Sequence, residues 1–311
     1  MSWDMLLGHR PSPLEALRDP ILDDLGLRVF VKRDDLLAIP ALDERFPAFS
    51  GNKWRKLKYN LLEARSLGYE GLLSYGGAYS NHIAAVAAAG RIFGFKTIGI
   101  IRGGPYPTLN PTLDFAHRCG MQLRYLEPAA FKMLRNAGWQ DSTLDVPCSY
   151  LTLPEGGSND RALQGCAELG LEILSQTPAD YYCISCGTGG TIAGLCTSLG
   201  DTPVIMGFPA LRNGGFLLGD IKDWIEKNNP AAQRNLRLET AYAFAGYGRW
   251  DNRLLEFMHD FHQQHGILLD QVYTGKMFFG VFDLIRQGQF PRGATICIIH
   301  TGGLQGRNGL P

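Results

Sequence analysis

The sequence predicts an α/β protein built on mainly parallel β-sheets, and three features indicate this class. Short runs of β-branched and apolar residues alternate with helical patterns along the 311-residue chain, as expected for consecutive βαβ units. Several of these runs lead into glycine pairs, and the 38 glycines exceed the usual share of about 7%. The composition, 45% hydrophobic and 19% charged, is that of a globular protein.

The elements can be placed in order from the periodicity of apolar residues. A helix is predicted from Lys53 to Leu67, where apolar residues recur with a period near 3.6. The predicted strands are Leu72–Tyr75, Lys96–Arg102, Gln122–Leu126, Ser149–Leu153, Tyr181–Ser185, Pro203–Phe208, Arg237–Phe244 and Thr295–His300. The other predicted helices are Ser80–Phe93, Thr112–Cys119, Asp160–Leu174, Gly190–Leu199, Phe216–Lys227, Asn252–His265 and Lys276–Gln287. Eight strands are many for one sheet, so two α/β lobes are expected, with ligands at the carboxyl ends of the strands.

Charge and cysteine content exclude several classes of protein. Thirty basic residues balance thirty acidic ones, so binding to nucleic acid or to an anionic membrane is not expected as the main activity. The sequence begins without a signal-peptide pattern, and its apolar runs are too short for a membrane span. Seven cysteines, an odd number scattered through apolar segments, indicate reduced thiols. We therefore expect a cytoplasmic protein.

Two patterns that resemble metal sites are not interpreted as such. Cys183-x-x-Cys186 lies at a predicted strand end, and the sequence has no second Cys-x-x-Cys to complete a zinc site. His259, His262 and His265 recur along a predicted helix without a carboxylate-rich partner segment, which is typical of a solvated helix edge. No metal site is predicted.

The glycine-rich segment Cys186-Gly-Thr-Gly-Gly-Thr191 joins a predicted strand to a predicted helix. Glycines allow several N–H groups to point at one place, and a helix N-terminus adds partial positive charge. The hydroxyls of Thr188 and Thr191 lie in the same segment. The pattern favours a phosphate site, with an ordinary strand–helix turn as the alternative.

Lys53 opens a predicted helix within Ser50-Gly-Asn-Lys-Trp-Arg-Lys56. A positive environment at a helix N-terminus favours the neutral amine that attacks carbonyl groups. The alternative is that Lys53, Arg55 and Lys56 form a solvated cationic helix face, and by itself the segment favours that alternative. Two further motifs also have structural alternatives: Ser80 fits a helix N-cap, and His300-Thr-Gly-Gly303 fits a turn at the end of a strand.

Taken together, these segments resemble one family from end to end. The motifs, in order, are Lys32-Arg-Asp-Asp-Leu36, Gly51-Asn-Lys-Trp-Arg-Lys56, Ser80-Asn-His82, Gly156-Gly-Ser-Asn159, Cys186-Gly-Thr-Gly-Gly-Thr191, Val272-Tyr-Thr-Gly-Lys276 and His300-Thr-Gly-Gly303. The set resembles the D-cysteine desulfhydrase and 1-aminocyclopropane-1-carboxylate (ACC) deaminase family, which are fold-type II enzymes dependent on pyridoxal 5'-phosphate (PLP). The resemblance spans Pro13 to Gly303. It implies a two-lobed, tryptophan synthase β-like fold in which each lobe is a mainly parallel sheet flanked by helices.

The resemblance also implies roles for individual residues. Lys53 would bind PLP covalently and then remove the substrate Cα proton, as a lysine amine can do both. The cofactor phosphate would be held by the loop, that is by Cys186, Gly187, Thr188, Gly189, Gly190 and Thr191. Asn81 would bind the ring hydroxyl of PLP, and Ser80 would face the substrate. Tyr273 is the third implied catalytic residue, and the substrate pocket would comprise Tyr79, Ser80, His82, Tyr247 and Tyr273.

Two positions favour one reaction of this family over the other. The ring-opening deaminases have glutamate and leucine where this chain has Thr274 and Thr301, whereas the desulfhydrases have hydroxyl residues at both. A carboxylate keeps the pyridine nitrogen protonated, as opening a cyclopropane requires, while a hydroxyl suffices when thiolate leaves from Cβ. Thr274 and Thr301 are therefore predicted to contact the cofactor. The predicted reaction is α,β-elimination that converts D-cysteine to pyruvate, ammonia and hydrogen sulfide.

Three positions depart from the family pattern on the substrate side. Tyr79 replaces a usual glutamine, Ala84 a common arginine, and Glu155 adds a carboxylate. These departures leave the physiological substrate open. The alternatives are ACC deaminase activity, another PLP-dependent deamination or racemisation, and a non-catalytic homologue that binds PLP or an amino acid.

The resemblance further predicts the domain organisation and the assembly. Residues 1–56 and 161–311 would form the large PLP-binding domain, and residues 57–160 a small mobile domain that closes over the substrate. A small amino acid is the expected ligand besides PLP. A homodimer is expected from the resemblance alone.

Overall fold

The computed structural model describes residue 3 and residues 10–37, 46–139, 144–232 and 235–309. Its strands are β1 Leu14–Leu17, β2 Arg28–Arg33, β3 Gly71–Gly76, β4 Lys96–Arg102, β5 Gln122–Leu126, β6 Tyr150–Leu153, β7 Tyr181–Cys186, β8 Val204–Pro209, β9 Leu236–Leu238 and β10 Thr295–His300. Its helices are α1 Pro20–Leu25, α2 Gly51–Ser66, α3 Asn81–Phe93, α4 Pro111–Arg118, α5 Pro128–Asn136, α6 Asp160–Gln176, α7 Gly190–Leu199, α8 Leu217–Asn228, α9 Asn252–His265 and α10 Thr274–Arg286. Within the described ranges, no helix is long and apolar enough to span a membrane.

The chain divides into two compact units. Unit 1 comprises Met1–His9 and Ile39–Gly165, and unit 2 comprises Arg10–Ala38 and Cys166–Pro311. The expected organisation differs from this division, because it placed residues 1–56 together in the large domain. Its boundary after residue 56 falls inside the continuous helix α2, whose buried side chains Trp54, Leu57 and Leu61 lie in unit 1. Lys53 therefore belongs to unit 1.

Unit 1 contains a four-stranded parallel sheet with the order β5-β4-β3-β6. All six residues of the inner strand β3 are buried, as expected for a strand covered on both faces. The predicted bounds of β4 and β5 match the observed ones. Helix α5, which begins at Pro128, was not predicted. Proline is favourable at a helix start, because its missing N–H would have no partner there.

Unit 2 contains a six-stranded sheet with the order β1-β2-β10-β7-β8-β9, in which only β1 is antiparallel to its neighbour. Strand β10 lies between β2 and β7, with Ile299 opposite both Lys32 and Ile184. The carboxyl ends of β7 and β10 therefore meet at one edge of the sheet. This register brings the segment after Cys186 close to the segment after His300, although more than a hundred residues separate them in sequence.

The prediction of one long strand at Arg237–Phe244 was wrong. The strand β9 ends at Leu238, and residues Thr240–Ala243 form a 3-10 turn. Phe244 has φ of +55°, a left-handed conformation that ends any strand. Strand β9 is an edge strand, so it has only one neighbour to hold it in an extended conformation.

Candidate active site

The first turn of helix α2 carries Lys53 in unit 1. Ser50 precedes the helix in an extended conformation, and Gly51 follows with φ of +58°. A left-handed φ favours glycine, which explains the glycine two residues before Lys53. The side chain of Lys53 is half-buried.

The alternative of a solvated cationic face does not hold for Arg55 and Lys56. Arg55 is 0% exposed and Lys56 is 2% exposed. The Lys56 ammonium donates hydrogen bonds to the Gly156 carbonyl oxygen at 2.8 Å and to Ser158 Oγ at 3.3 Å. Burying a lysine requires such partners. The two cations after Lys53 therefore belong to the interior of unit 1.

A second contact joins α2 to the same glycine loop. The side-chain amides of Asn60 and Asn159 donate to each other, at 3.2 and 2.7 Å. Asn159 Oδ1 also accepts the Ala162 amide at 2.9 Å, which caps the start of α6. The motif Gly156-Gly-Ser-Asn159 thus holds the helix that carries Lys53 in place.

The motif Ser80-Asn-His82 begins helix α3. Ser80 Oγ accepts the Ile83 amide at 3.3 Å, so Ser80 is the N-cap. Because this hydroxyl acts as an acceptor toward the helix, its own proton remains available to a ligand. Asn81 is the first residue of the helix and is half-buried.

His82 lies inside unit 1 with only 1% of its surface exposed. Neither ring nitrogen has a hydrogen-bond partner among the described residues. Burial, and then the charges of Lys53 and Lys56, hold the pKa of His82 well below its usual value. The ring packs against Gly157, where an added Cβ would lie 2.5 Å from His82 Cε1. His82 is therefore a neutral imidazole close to the two lysines.

The three positions that depart from the family pattern lie in different surroundings. Tyr79 is 60% exposed, and Ala84 is buried within α3. Glu155 forms an ion pair with Arg135 on helix α5. The extra carboxylate of Glu155 thus has a partner in its own unit, so its presence does not require a cationic substrate.

The predicted phosphate loop in unit 2 connects β7 to α7. Gly189 caps the helix with φ of +81°, and an added Cβ there would lie 2.6 Å from Ile221 Cγ1. An added Cβ at Gly187 would lie 3.3 Å from Tyr273 Cε1. The glycines thus leave a cradle of main-chain groups at the N-terminus of a ten-residue helix, with Thr191 buried beside it. This arrangement fits the phosphate group of PLP.

Tyr273 and Tyr247 form a pair beside this loop. Tyr273 Oη donates to Tyr247 Oη at 3.4 Å, and the ring centroids are 5.9 Å apart. Thr274 is fully buried, and its hydroxyl donates to Asp270 Oδ1 at 2.8 Å. Asp270 was not singled out from the sequence, although an aspartate whose side chain accepts the amide two residues later is a common turn signal.

Thr301 lies at the end of β10 in unit 2. Its hydroxyl is 3.5 Å from Ser185 Oγ, at the end of β7. His300 Nε2 donates to the Leu268 carbonyl at 2.7 Å, so its Nδ1 accepts the Gly302 amide at 3.2 Å. His300 therefore shapes the turn that carries Thr301. Ser185 could not have been singled out, because only the sheet register brings it to Thr301.

Cys183 and Cys186 are both buried. Burial raises the pKa of Cys183 well above its ordinary value, which keeps the thiol protonated and unreactive. Cys186 ends β7 and is 2% exposed. The structure therefore places the two sulfurs in the sheet interior.

Comparisons with known proteins agree with this arrangement. A family model described as pyridoxal-phosphate dependent enzyme matches residues 5–302. The chain is 27% identical to ACC deaminases of Pseudomonas syringae pv. syringae and Ralstonia pickettii, covering 96% of this chain and 93% of each relative. A solved structure described as an ACC deaminase homologue is 27% identical, with a TM-score of 0.81 and coverage of 96% of this chain and 91% of that one.

A more distant structure shows the same fold. It is a hydrogen sulfide-producing enzyme from Fusobacterium nucleatum, 16% identical, with a TM-score of 0.67 and coverage of 99% of both chains. The predicted fold class, the resemblance to the ACC deaminase family and the dependence on PLP are confirmed. The protein is an enzyme similar to ACC deaminases, and it belongs to the family of pyridoxal-phosphate-dependent enzymes.

Proposed function

We propose that this enzyme catalyses α,β-elimination on a small amino acid, with D-cysteine as its substrate. The observation that carries the proposal is the pair of threonines, Thr274 and Thr301, at positions where ring-opening deaminases have glutamate and leucine. Thr301 lies beside a second hydroxyl, that of Ser185. The Thr274 hydroxyl is bonded to the Asp270 carboxylate, so Thr301 would supply the neutral hydroxyl to the cofactor, which suffices when a good leaving group such as thiolate departs.

By the family resemblance, Lys53, Ser80 and Asn81 would handle the substrate Cα. When bound, PLP supplies an electron sink for the carbanion formed at that carbon. Lys53 would hold the cofactor, and its amine would accept the Cα proton. Ser80, whose hydroxyl proton is not used by the helix cap, donates to the substrate carboxylate. Asn81 follows Ser80 and binds the cofactor ring hydroxyl.

By the same resemblance, the glycine-rich loop would hold the phosphate and Tyr273 would assist the leaving group. The loop Cys186–Thr191 binds the phosphate through main-chain N–H groups, and Tyr273 supplies a hydroxyl near the departing sulfur. As the Cα–H and Cβ–S bonds break, the electron pair of the Cβ–S bond leaves with sulfur. The released 2-aminoacrylate hydrolyses to pyruvate and ammonia, so D-cysteine and water give pyruvate, ammonia and hydrogen sulfide.

ACC deamination is the second candidate, because relatives covering most of this chain carry that name. Opening the ring and adding water to ACC gives 2-oxobutanoate and ammonia. The two candidates therefore differ in their keto acid and in sulfide release.

The test is to incubate the PLP-loaded enzyme separately with D-cysteine, L-cysteine and ACC. Sulfide and pyruvate from D-cysteine, without 2-oxobutanoate from ACC, are the expected result. Formation of 2-oxobutanoate without turnover of D-cysteine would overturn the proposal in favour of the second candidate. Turnover of L-cysteine alone would contradict the assigned handedness.

We also propose that the enzyme is a cytoplasmic homodimer. The dimer rests on the family resemblance, and the cytoplasmic location rests on the odd number of cysteines, seven, scattered through apolar segments. Light scattering of the purified protein should give twice the 34.3 kDa chain mass, and a monomer mass would contradict the proposal. Fractionation of the source cells tests the location.

A further inference from the structure

The turn before helix α10 and the first turn of that helix each contain a buried charged residue to which the mechanism assigns no role. Asp270 is 1% exposed, and Lys276 is 2% exposed. They flank Tyr273, three residues before it and three after it. Burying charged groups costs free energy unless each is well hydrogen-bonded.

The Asp270 carboxylate organises the turn that carries Tyr273. Its Oδ2 accepts the amides of Val272 at 2.9 Å and Tyr273 at 2.8 Å. Its Oδ1 accepts both the amide and the hydroxyl of Thr274 at 2.8 Å. The Asp270 amide in turn donates to Thr274 Oγ1 at 2.9 Å. One carboxylate therefore binds three successive main-chain groups, and it sets the direction in which the Tyr273 side chain leaves the turn.

Lys276 holds the segment that carries the other tyrosine. Its ammonium donates to the carbonyl oxygens of Ala243 at 2.9 Å and Gly246 at 2.7 Å. These carbonyls belong to residues just before Tyr247, and Gly246 has φ of +112°. The lysine thus fixes an irregular segment to the first turn of α10 through charge-assisted hydrogen bonds.

The two charged residues therefore act on the same pair of side chains. Tyr273 and Tyr247 meet through their hydroxyls at 3.4 Å, and Tyr273 packs against Gly187 of the phosphate loop. A phenol that assists a leaving group must be held to within a fraction of an ångström.

We propose that Asp270 and Lys276 are positioning residues that set the Tyr273–Tyr247 pair for proton donation to the leaving group. Asp270 acts on Tyr273 through the main chain of residues 272–274, and Lys276 acts on Tyr247 through residues 243–246. The inference rests on the proposed function, in which the tyrosines face the leaving group. It adds to that function the two charges on which the geometry of the tyrosines depends.

The test begins with Asp270→Asn in the PLP-loaded enzyme. The asparagine side chain has an NH2 group in place of one carboxylate oxygen. At least one of the main-chain N–H groups of residues 272–274 therefore loses its hydrogen-bond acceptor. We expect kcat to fall by about tenfold or more, since small misplacements of catalytic groups have effects of this size. The induced circular dichroism of bound PLP should also change, because Tyr273 lies against the phosphate loop. Asp283→Asn is the matched control, as Asp283 lies on the same helix and accepts from Tyr242 instead.

A double-mutant cycle separates positioning from a general loss of stability. Against a Tyr273→Phe background, Asp270→Asn should cause little further loss of kcat. Lys276→Met should likewise cause little further loss in a Tyr247→Phe background. Full additivity in correctly folded, PLP-loaded protein would overturn the proposal, as would a wild-type kcat and dichroism in Asp270→Asn.

The circular dichroism of bound PLP is recorded without substrate. It therefore tests the positioning role of Asp270 even if the proposed reaction with D-cysteine is wrong. If wild-type enzyme does not turn over D-cysteine, the cycle is run with whichever amino acid is turned over. A dichroism change in Asp270→Asn that is absent from Asp283→Asn then still supports the positioning role.

Discussion

Helices α2 and α10 use the same device in different units. Each carries a predicted catalytic residue near its start, Lys53 or Tyr273, and each buries a lysine three residues later. Lys56 donates to the Gly156 carbonyl, and Lys276 donates to the carbonyls of Ala243 and Gly246. In both units a buried ammonium therefore fixes a glycine-containing loop to the helix that carries the functional group.

The two helices differ in whether an acidic residue lies near the helix start. The turn before α10 contains Asp270, which binds three successive amides. The first turn of α2, Gly51–Trp54, contains no acidic residue. An aspartate in the turn before a helix can accept main-chain amides and order that turn, and before α10 this turn carries Tyr273.

The largest effect is expected from Lys53→Ala in α2. Activity should fall by about a thousandfold or more, because both the covalent bond to PLP and the base are lost. The visible absorbance of the bound cofactor should be lost as well. Lys96→Ala is the control, since Lys96 lies at the surface in an ion pair with Glu70. Retention of the absorbance in Lys53→Ala would contradict the assignment.

Lys56→Met removes the hydrogen bond from Lys56 to Gly156 in unit 1. It tests whether this bond supports activity, as the bonds of Lys276 are proposed to do in unit 2. The Gly156 carbonyl loses its charged donor, so the free energy of unfolding should fall by about 1–3 kcal/mol. Activity should also fall, by about tenfold, as the helix carrying Lys53 loses its support. Urea denaturation and kcat measure the two effects. If Lys56→Met is as active as wild type, Lys56 does not position Lys53, and the two buried lysines do not have the same role.

The neutral His82 predicts that the folded protein loses stability as the pH is lowered. Its pKa is held well below the ordinary 6.5 in the folded protein, so below pH 6.5 only the unfolded chain takes up the proton. Stability therefore falls as the pH is lowered. His82→Leu should lack this contribution, so its stability relative to wild type should improve by about 1–2 kcal/mol between pH 7 and pH 5. A pH-independent difference would show that His82 is protonated in the fold.

Lys276 predicts an alkaline-side difference in unit 2. Burial lowers the pKa of Lys276 from 10.5 to about 8, against the attraction of Asp270. Between pH 8 and 10.5 the unfolded chain holds the proton that the folded protein has released, so this contribution raises stability as the pH increases. We expect wild type to gain on the order of 1 kcal/mol relative to Lys276→Met across this window, after allowance for partial solvation. Parallel stability curves for the two proteins would rule the shift out.

The smallest effect is expected from Glu155→Gln. Glu155 pairs with Arg135 in a partly exposed position, where an ion pair contributes about 0.2–1 kcal/mol. Stability should fall by that amount, and kcat for each amino acid should stay unchanged. A changed preference among amino acids in Glu155→Gln would instead show that the carboxylate acts on the substrate.

Much of the fold could be predicted from the sequence, and the exceptions have physical causes. The bounds of Lys96–Arg102, Gln122–Leu126 and Thr295–His300 match the observed strands. The first and the last are apolar runs whose interior residues are buried, as expected for parallel strands covered on both faces. Strands β1 and β2 were missed, since they contain charged residues such as Lys32, which is buried against Glu172 at 2.5 Å. No local pattern reveals that a lysine has such a distant partner.

The sequence by itself determined the α/β class, the dependence on PLP and the candidate residues of the site. These features follow from contiguous motifs. The conformation of glycines, the capping of helices and the position of a lysine at a helix start all depend on residues that are neighbours in the sequence. Only the tertiary structure decided that Arg55 and Lys56 are buried, that Glu155 has Arg135 as its partner, and that Lys276 supports the segment before Tyr247. The reason is that a charged side chain is fixed by partners supplied by other segments, and for Lys56 the partner Gly156 is 100 residues away.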